Sequence, residues 1–190
     1  MKKILLIGGT SLIGQQLMKS ELYDFTCPSS TELDLTNSDS ITKFSYNDYD
    51  CLIFVAGAGM RHGKDFSFEE PEVDAEYIKN TIDVNCTGAT LLLQNYLKSN
   101  HKGHVVIVGS VVVSDLKNTN VVYASSKTYL DRLIDLLDNL YKDTIFIKIN
   151  PGVLQSRKQP NIKKSISPET IADLIWKALA KNIKRIDVYE

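Results

Sequence analysis

The sequence has 190 residues, and 22 lysines and arginines against 23 aspartates and glutamates give a net charge of −1. With 43% hydrophobic and 24% charged residues, it lacks the apolar-poor, highly charged composition of a disordered chain. The neutral balance also argues against a nucleic-acid or other polyanion binder.

Cys27, Cys51 and Cys86 stand alone without a C-x-x-C pair, which fits a reducing cytosol rather than a disulfide framework. His62, His101 and His104 form no metal-ligand cluster. The apolar run after Met1 stops at Gly8, and no stretch reaches the roughly 18–20 apolar residues of a membrane span. A single soluble domain over residues 1–190, cytoplasmic and without membrane or nucleic-acid partner, is the expectation.

Apolar runs of strand length recur along the chain. The first is Lys3–Ile7. A glycine turn follows, then a helical stretch over Leu12–Leu22 and a weaker strand at Asp24–Cys27. Only Pro28–Glu32 separates that strand from Leu33-Asp34-Leu35. Parallel neighbours need a crossover of about a dozen residues, so Leu33–Leu35 reads as extended loop leading to a short helix near Ser38–Tyr46. Next come a strand at Cys51–Val55, a long helical stretch over Pro71–Ser99, and a strand at His104–Val108. A helix over Tyr123–Tyr141 and a strand at Thr144–Ile149 follow. Last are a helix over Pro168–Lys181, with Ser167 as N-cap, and a strand at Ile186–Tyr189. The near-continuous apolar strands suit a parallel sheet buried on both faces. The implied fold is α/β: a Rossmann-like doubly wound sheet of about six strands flanked by helices, in order 2-1-3-4-5-6. Ligands in such sheets sit beyond the strands' carboxyl ends, here between the first and third strands.

Two local patterns carry chemistry. Gly8-Gly9-Thr10-Ser11-Leu12-Ile13-Gly14 joins a strand to a helix, the setting in which backbone can approach a pyrophosphate. Ser110 follows the strand ending at Val108, and Tyr123 and Lys127 lie four apart, on one helix face. A lysine beside a phenol favours the phenolate and lowers its pKa from about 10, so that it can exchange a proton with an alcohol or carbonyl.

Together these features resemble the short-chain dehydrogenase/reductase family over nearly the whole sequence. The glycine turn looks like the family's glycine motif, although Ser11 stands where a central glycine is common. Leu33-Asp34-Leu35-Thr36 resembles the segment whose aspartate contacts adenine, and Ala56-Gly57-Ala58-Gly59 occupies the N-N-A-G position without its asparagines. Asn85, Ser110, Tyr123 and Lys127 match the catalytic tetrad in order and spacing. Asn150-Pro151-Gly152-Val153-Leu154-Gln155-Ser156 resembles the segment beside the nicotinamide.

The resemblance implies reversible hydride transfer between a nicotinamide dinucleotide and a small carbonyl compound or its secondary alcohol. It makes Tyr123 the acid/base, Lys127 its pKa-lowering neighbour and ribose contact, Ser110 the group polarising the substrate oxygen, and Asn85 the holder of a relay water. The cofactor contacts it implies are Gly8, Thr10, Ser11, Leu12, Ile13, Ser29, Asp34, Leu35, Ala56, Gly57, Tyr123, Lys127, Pro151, Gly152 and Val153, with no metal. Ser29 and Ser30 follow the second strand without an acid or arginine at its end, which favours NADP(H) over NAD(H).

Arg61, His62 and Lys64, with Arg157, Lys158, Lys163 and Lys164 in the short Ser156–Ser167 segment, leave two readings open: a basic rim that steers an anionic substrate, or a solvated loop whose charges only favour the cofactor phosphates. Leu91-Leu92-Leu93 and the apolar residues around Tyr129–Leu137 nearly encircle their helices, and helices of this kind need cover on both sides. The family uses such helices for a homodimer or homotetramer. A non-catalytic NADP(H) sensor or scaffold would carry a damaged tetrad. A sugar-nucleotide epimerase or dehydratase would carry a larger C-terminal domain. Both stand behind the oxidoreductase reading.

Overall fold

A computed structural model describes residues 1–59, 75–99, 102–114, 120–155 and 165–189. Its sheet has six parallel strands in the order β2-β1-β3-β4-β5-β6. They are β1 (Lys2–Ile7), β2 (Tyr23–Thr26), β3 (Cys51–Phe54), β4 (Gly103–Val108), β5 (Thr144–Pro151) and β6 (Arg185–Val188). In the middle of the sheet, Leu52, Ile53, Val105, Val106 and Ile147 are buried completely. Each such side chain contributes about 1.5–3 kcal/mol relative to exposure, which is why the central strands read as unbroken apolar runs.

The helices are α1 (Leu12–Leu17), α2 (Ser38–Lys43), α3 (Ala75–Ile82), α4 (Ala89–Ser99), α5 (Val121–Leu140) and α6 (Pro168–Lys181). Leu92, Leu93, Leu130 and Ile134 of α4 and α5 pack with Ile41 of α2 on one face of the sheet. Ile13, Leu17, Ile171 and Ile175 of α1 and α6 cover the other. None of the described helices is long and apolar enough to cross a membrane.

Three local departures from the sequence reading have physical causes. α1 ends at Leu17 rather than Leu22, because Tyr23 must already pair with Lys2. The chain tightens there through Lys19 N–H to Gln16 and Ser20 N–H to Leu17, 3.2 Å each. The long helical stretch is interrupted between α3 and α4 by a π-helical turn over Asp83–Gly88. The Leu35 carbonyl comes so close that a Cβ on Gly88 would lie 2.2 Å from it. α5 starts two residues before Tyr123, capped by Asn120, whose side chain accepts from the Tyr123 N–H.

Candidate active site

The carboxyl ends of β1, β3, β4 and β5 surround the site. At the end of β1, Gly8 takes φ +93, and a Cβ there would lie 2.7 Å from the Ala56 nitrogen. The turn therefore rests directly on the loop after β3, which only glycine permits. Ser11 caps α1 by accepting from Gly14 N–H at 3.0 Å.

Two adjacent cavities lie along this edge. One, of about 540 Å³, is lined by Ser11, Leu12, Ile13, Gly57, Ser110, Tyr123, Lys127, Pro151 and Gly152. The other, of about 520 Å³, is lined by Gly8, Thr10, Ser29, Asp34, Leu35 and Ala56. Both volumes fall in the range of small-molecule and cofactor sites. Of the residues expected to contact a cofactor, Val153 alone lines neither cavity, and Leu154 occupies the wall of the first beside Gly152. Ser156, the basic segment from Arg157 to Lys164, and Arg61, His62 and Lys64 lie outside the described residues. On the described part of the first cavity wall the one acid is Glu76, from α3.

Within the first cavity the three groups of the Ser–Tyr–Lys set converge. Ser110 lies two residues after the end of β4 and acts on the Tyr123 phenol as a pKa-lowering side-chain neighbour. Lys127 Nζ lies 5.8 Å from the centroid of the Tyr123 ring, over its face, and approaches the Val108 carbonyl at 3.4 Å. Asn85 does not reach the cavity. It is fully buried in the π-helical turn, where its Oδ1 accepts from Ala58 N–H at 2.8 Å. Its Nδ2 donates to the Ala58 carbonyl at 2.6 Å and to Ser126 Oγ at 2.9 Å. Both amide protons are used in holding the loop after β3 against α5.

The electrostatics correct one expectation. Burial pushes the Tyr123 phenol above its ordinary pKa, the Ser110 side chain works against that, and neighbouring Tyr77 adds to it. The net shift is upward, against the lowering expected of a lysine neighbour. The Lys127 ammonium lies over the ring, and burial lowers the lysine's own pKa from 10.5 to about 8. A charge removed from water favours its neutral form unless a counter-charge compensates. No carboxylate pairs with Lys127 among the described residues.

Asp34 lines the second cavity, its carboxylate accepting from the Thr36 N–H at 2.8 Å and hydroxyl at 2.7 Å, which hold its pKa down. Ser29 is engaged by the chain itself: its N–H and its hydroxyl both donate to Glu32 Oε2 at 2.8 Å. Glu32 is thus an acid at this end that the sequence reading left out.

Around Tyr123 stand Gly59, which the sequence places only in the N-N-A-G segment, and two residues it does not single out, Tyr77 and Asn120. Gly59, with φ +142, packs so tightly on the ring that a Cβ would lie 2.1 Å from Tyr123 Cδ2. Tyr77 and Asn120 both bond its carbonyl. Asn120 carries a signal, an Asn at N-cap spacing before a helix, whereas nothing in the sequence marks Tyr77.

A family model described as short chain dehydrogenase matches residues 30–167, a span that holds Asn85, Ser110, Tyr123 and Lys127 but not the glycine turn. The chain belongs to the short chain dehydrogenase family. No curated protein matches the sequence.

Solved structures share the family fold at low identity. One is a short chain dehydrogenase from Burkholderia cenocepacia J2315 in complex with NADP. It is 16% identical with a TM-score of 0.85, over 100% of this chain and 88% of that one. The protein lin1944 from Listeria innocua is 17% identical with a TM-score of 0.84, over 100% of both chains. An alcohol dehydrogenase from Thermococcus sibiricus, complexed with 5-hydroxy-NADP, is 20% identical with a TM-score of 0.79, over 100% of this chain and 94% of that one.

Proposed function

We propose that the protein is an NAD(P)(H)-dependent oxidoreductase that interconverts a small carbonyl compound and its secondary alcohol, with Tyr123 as the acid/base. The observation that carries this reading is the convergence of Ser110, Tyr123 and Lys127 on one cavity that Gly57, Gly109 and Gly152 also line.

The residues present fit a nicotinamide dinucleotide. Gly57 lines the first cavity, and a Cβ there would meet Lys127 Nζ at 3.1 Å and Asn85 Oδ1 at 3.5 Å, so glycine lets the cavity wall lie directly against these two side chains. When bound, the nicotinamide supplies or takes up the hydride. The protein orients the reactants and handles the proton. Ser11–Ile13, Gly57, Pro151 and Gly152 would enclose the nicotinamide end, with Lys127 in reach of the ribose hydroxyls. Gly8, Thr10, Asp34, Leu35 and Ala56 would enclose the adenosine end.

Ser110 and Tyr123 line one cavity, so a substrate oxygen placed between the two hydroxyls is polarised by one and protonated by the other. Burial keeps the phenol protonated at neutral pH, the form that carbonyl reduction needs. Tyr123→Phe removes that proton. Its turnover is expected to fall by about 10²-fold or more, with dinucleotide binding, read by nicotinamide fluorescence, intact. A panel of ketones, aldehydes and quinones supplies the substrate for the comparison, and near-normal turnover of the variant refutes the assignment.

For the dinucleotide, the reading is NADP(H) over NAD(H). Ser29 already presents an N–H and a hydroxyl to an anionic oxygen, that of Glu32, and Thr31 Oγ1 lies 2.8 Å from the same hydroxyl. A 2′-phosphate would take the place of the exposed Glu32 carboxylate. The complexes of the Burkholderia and Thermococcus proteins with NADP and 5-hydroxy-NADP support this choice.

The reading includes a homodimer or homotetramer built on α4 and α5. Tyr129, Leu136 and Leu140 on α5 are 44%, 47% and 74% exposed, apolar surface that a second copy would cover. Sedimentation at micromolar concentration is expected to give at least twice the monomer mass, and a monomer would refute it.

A further inference from the structure

Tyr123 stands at the meeting point of three segments that are far apart in the chain. Gly59, in the loop after β3, lies under its ring. Asn120 caps the helix that carries it, and Tyr77 on α3 is buried beside it and lines the same cavity. These residues share one acceptor. The Gly59 carbonyl accepts from the Tyr77 hydroxyl at 2.7 Å and from Asn120 Nδ2 at 2.8 Å. Two donors use both lone pairs of a carbonyl oxygen. The other end of the Asn120 amide, Oδ1, accepts from the Tyr123 N–H at 3.2 Å and lies 3.1 Å from the Tyr77 hydroxyl.

We propose that Tyr77 and Asn120 are positioning residues for Tyr123, fixing its ring against the loop after β3 through the Gly59 carbonyl. The proposal rests on Tyr123 being the acid/base of the proposed reaction.

Chemistry separates this role from ordinary helix capping. Serine, aspartate and asparagine all cap well, because a cap needs only an acceptor. Asparagine alone among them presents an acceptor to Tyr123 N–H and two amide protons for the Gly59 carbonyl at once. Aspartate would set a negative oxygen against that carbonyl. At Tyr77, phenylalanine would keep the ring and lose only the hydroxyl that holds Gly59. The clamp has little slack, because the Tyr123 ring already occupies the space where a Gly59 Cβ would stand, 2.1 Å from Cδ2. A shift of Gly59 therefore moves the ring, and misplacing a reacting group by about 1 Å can cost about 10²-fold in rate. The groups facing the phenol are Ser110 from just after β4, Tyr77 from α3 and Lys127 from the same helix.

The test uses Tyr77→Phe and Asn120→Ser, the latter keeping a cap acceptor while losing the amide donor. Protein carrying tyrosine labelled with ¹³C at Cζ is titrated by NMR, with the Tyr123 signal assigned by its absence in Tyr123→Phe. In both variants the Tyr123 phenol is expected to titrate closer to its ordinary pKa of about 10, as the released ring gains contact with water. With a carbonyl compound from the panel, kcat is expected to fall by about ten-fold or more. KM and the NADPH dissociation constant should stay within about two-fold.

Loss of thermal stability with the Tyr123 titration unchanged would mark a merely structural role and overturn the proposal. Unchanged titration and kcat in both variants would do the same. The NMR arm needs no turnover. If no carbonyl compound is turned over, the functional reading fails while the titration still decides the clamp.

Discussion

The two halves of the groove are held by different kinds of contact. On the catalytic side, Ala58 and Asn85 are 27 positions apart, Asn85 and Ser126 are 41, Tyr77 and Asn120 are 43, and Gly59 and Asn120 are 61. On the side proposed for adenosine, Ser29 bonds Glu32 three positions on, Asp34 bonds Thr36 two on, and Ser40 bonds Asp34 six back. The first set exists only once the whole sheet has assembled, and its members are mostly buried. The second set consists of turn contacts in water. A substitution on the catalytic side therefore strains several elements at once, whereas one on the other side stays where it is made. The catalytic half supplies a fixed geometry for chemistry. The local half can vary in what it recognises without disturbing that geometry.

The largest effect expected from this difference concerns Lys127. It is buried, with the Val108 carbonyl at 3.4 Å. Burial lowers its pKa from 10.5 to about 8. The unfolded chain keeps this proton up to about pH 10.5, while the folded protein releases it near pH 8. Between those values the unfolded state binds more protons, so stability rises with pH. Below pH 8 the cost of the buried charge is fully present, on the order of 3 kcal/mol for a displacement of this size. Lys127→Met is therefore expected to abolish turnover and yet be more stable than the parent at pH 7, by about that amount. The advantage should shrink as the pH approaches 10.5. Urea unfolding of both proteins at pH 7 and pH 10 measures it. A variant no more stable than the parent at pH 7 would mean that Lys127 finds compensation that its burial does not suggest. No group in the turn-bonded half is buried enough to produce such a window.

The same contrast governs what could be read from the sequence. The apolar runs of β1, β3, β4 and β5 are legible because strands buried on both faces need no alternation. The strand order follows in part from the short gap between β2 and Leu33, a constraint set by chain length alone. Ser110, Tyr123 and Lys127 are legible because a strand end and an i,i+4 pair are local geometry, and the tetrad spacing ties them together. The end of α1 is not legible, because Met18 and Leu22 continue its apolar pattern. The pairing of Lys2 with Tyr23 ends the helix, and Leu22 is left 75% exposed. The π-helical turn around Asn85 depends on Leu35 backbone meeting Gly88, a contact between residues that no short-range pattern links. The Tyr77–Gly59–Asn120 clamp was hidden for the same reason. The sense of the Tyr123 and Lys127 pKa shifts was hidden because burial overrides the pairing that an i,i+4 spacing suggests.

The smallest expected effect tests the local half. Glu32 is exposed, and its carboxylate accepts from Ser29 N–H and Oγ, which lower its pKa. If the Ser29 turn meets the 2′ position of the dinucleotide, Glu32 competes there with the phosphate and repels it. Glu32→Gln keeps the shape of the side chain and removes the charge. The NADPH dissociation constant is then expected to fall by a few-fold, on the order of what an exposed, screened charge contributes. The NADH constant should move by less than about two-fold, because NADH lacks the phosphate that Glu32 would repel. Fluorescence titrations with both dinucleotides at low ionic strength read the difference, and added salt should erase it. Equal changes for the two, or weaker NADPH binding, would place the 2′ group away from Ser29. Because Ser29 and Glu32, among the described residues, bond only within their own turn, the melting temperature and the Tyr123 titration should not change. A shift in either would show that this turn is coupled to the catalytic side, breaking the separation between the two halves.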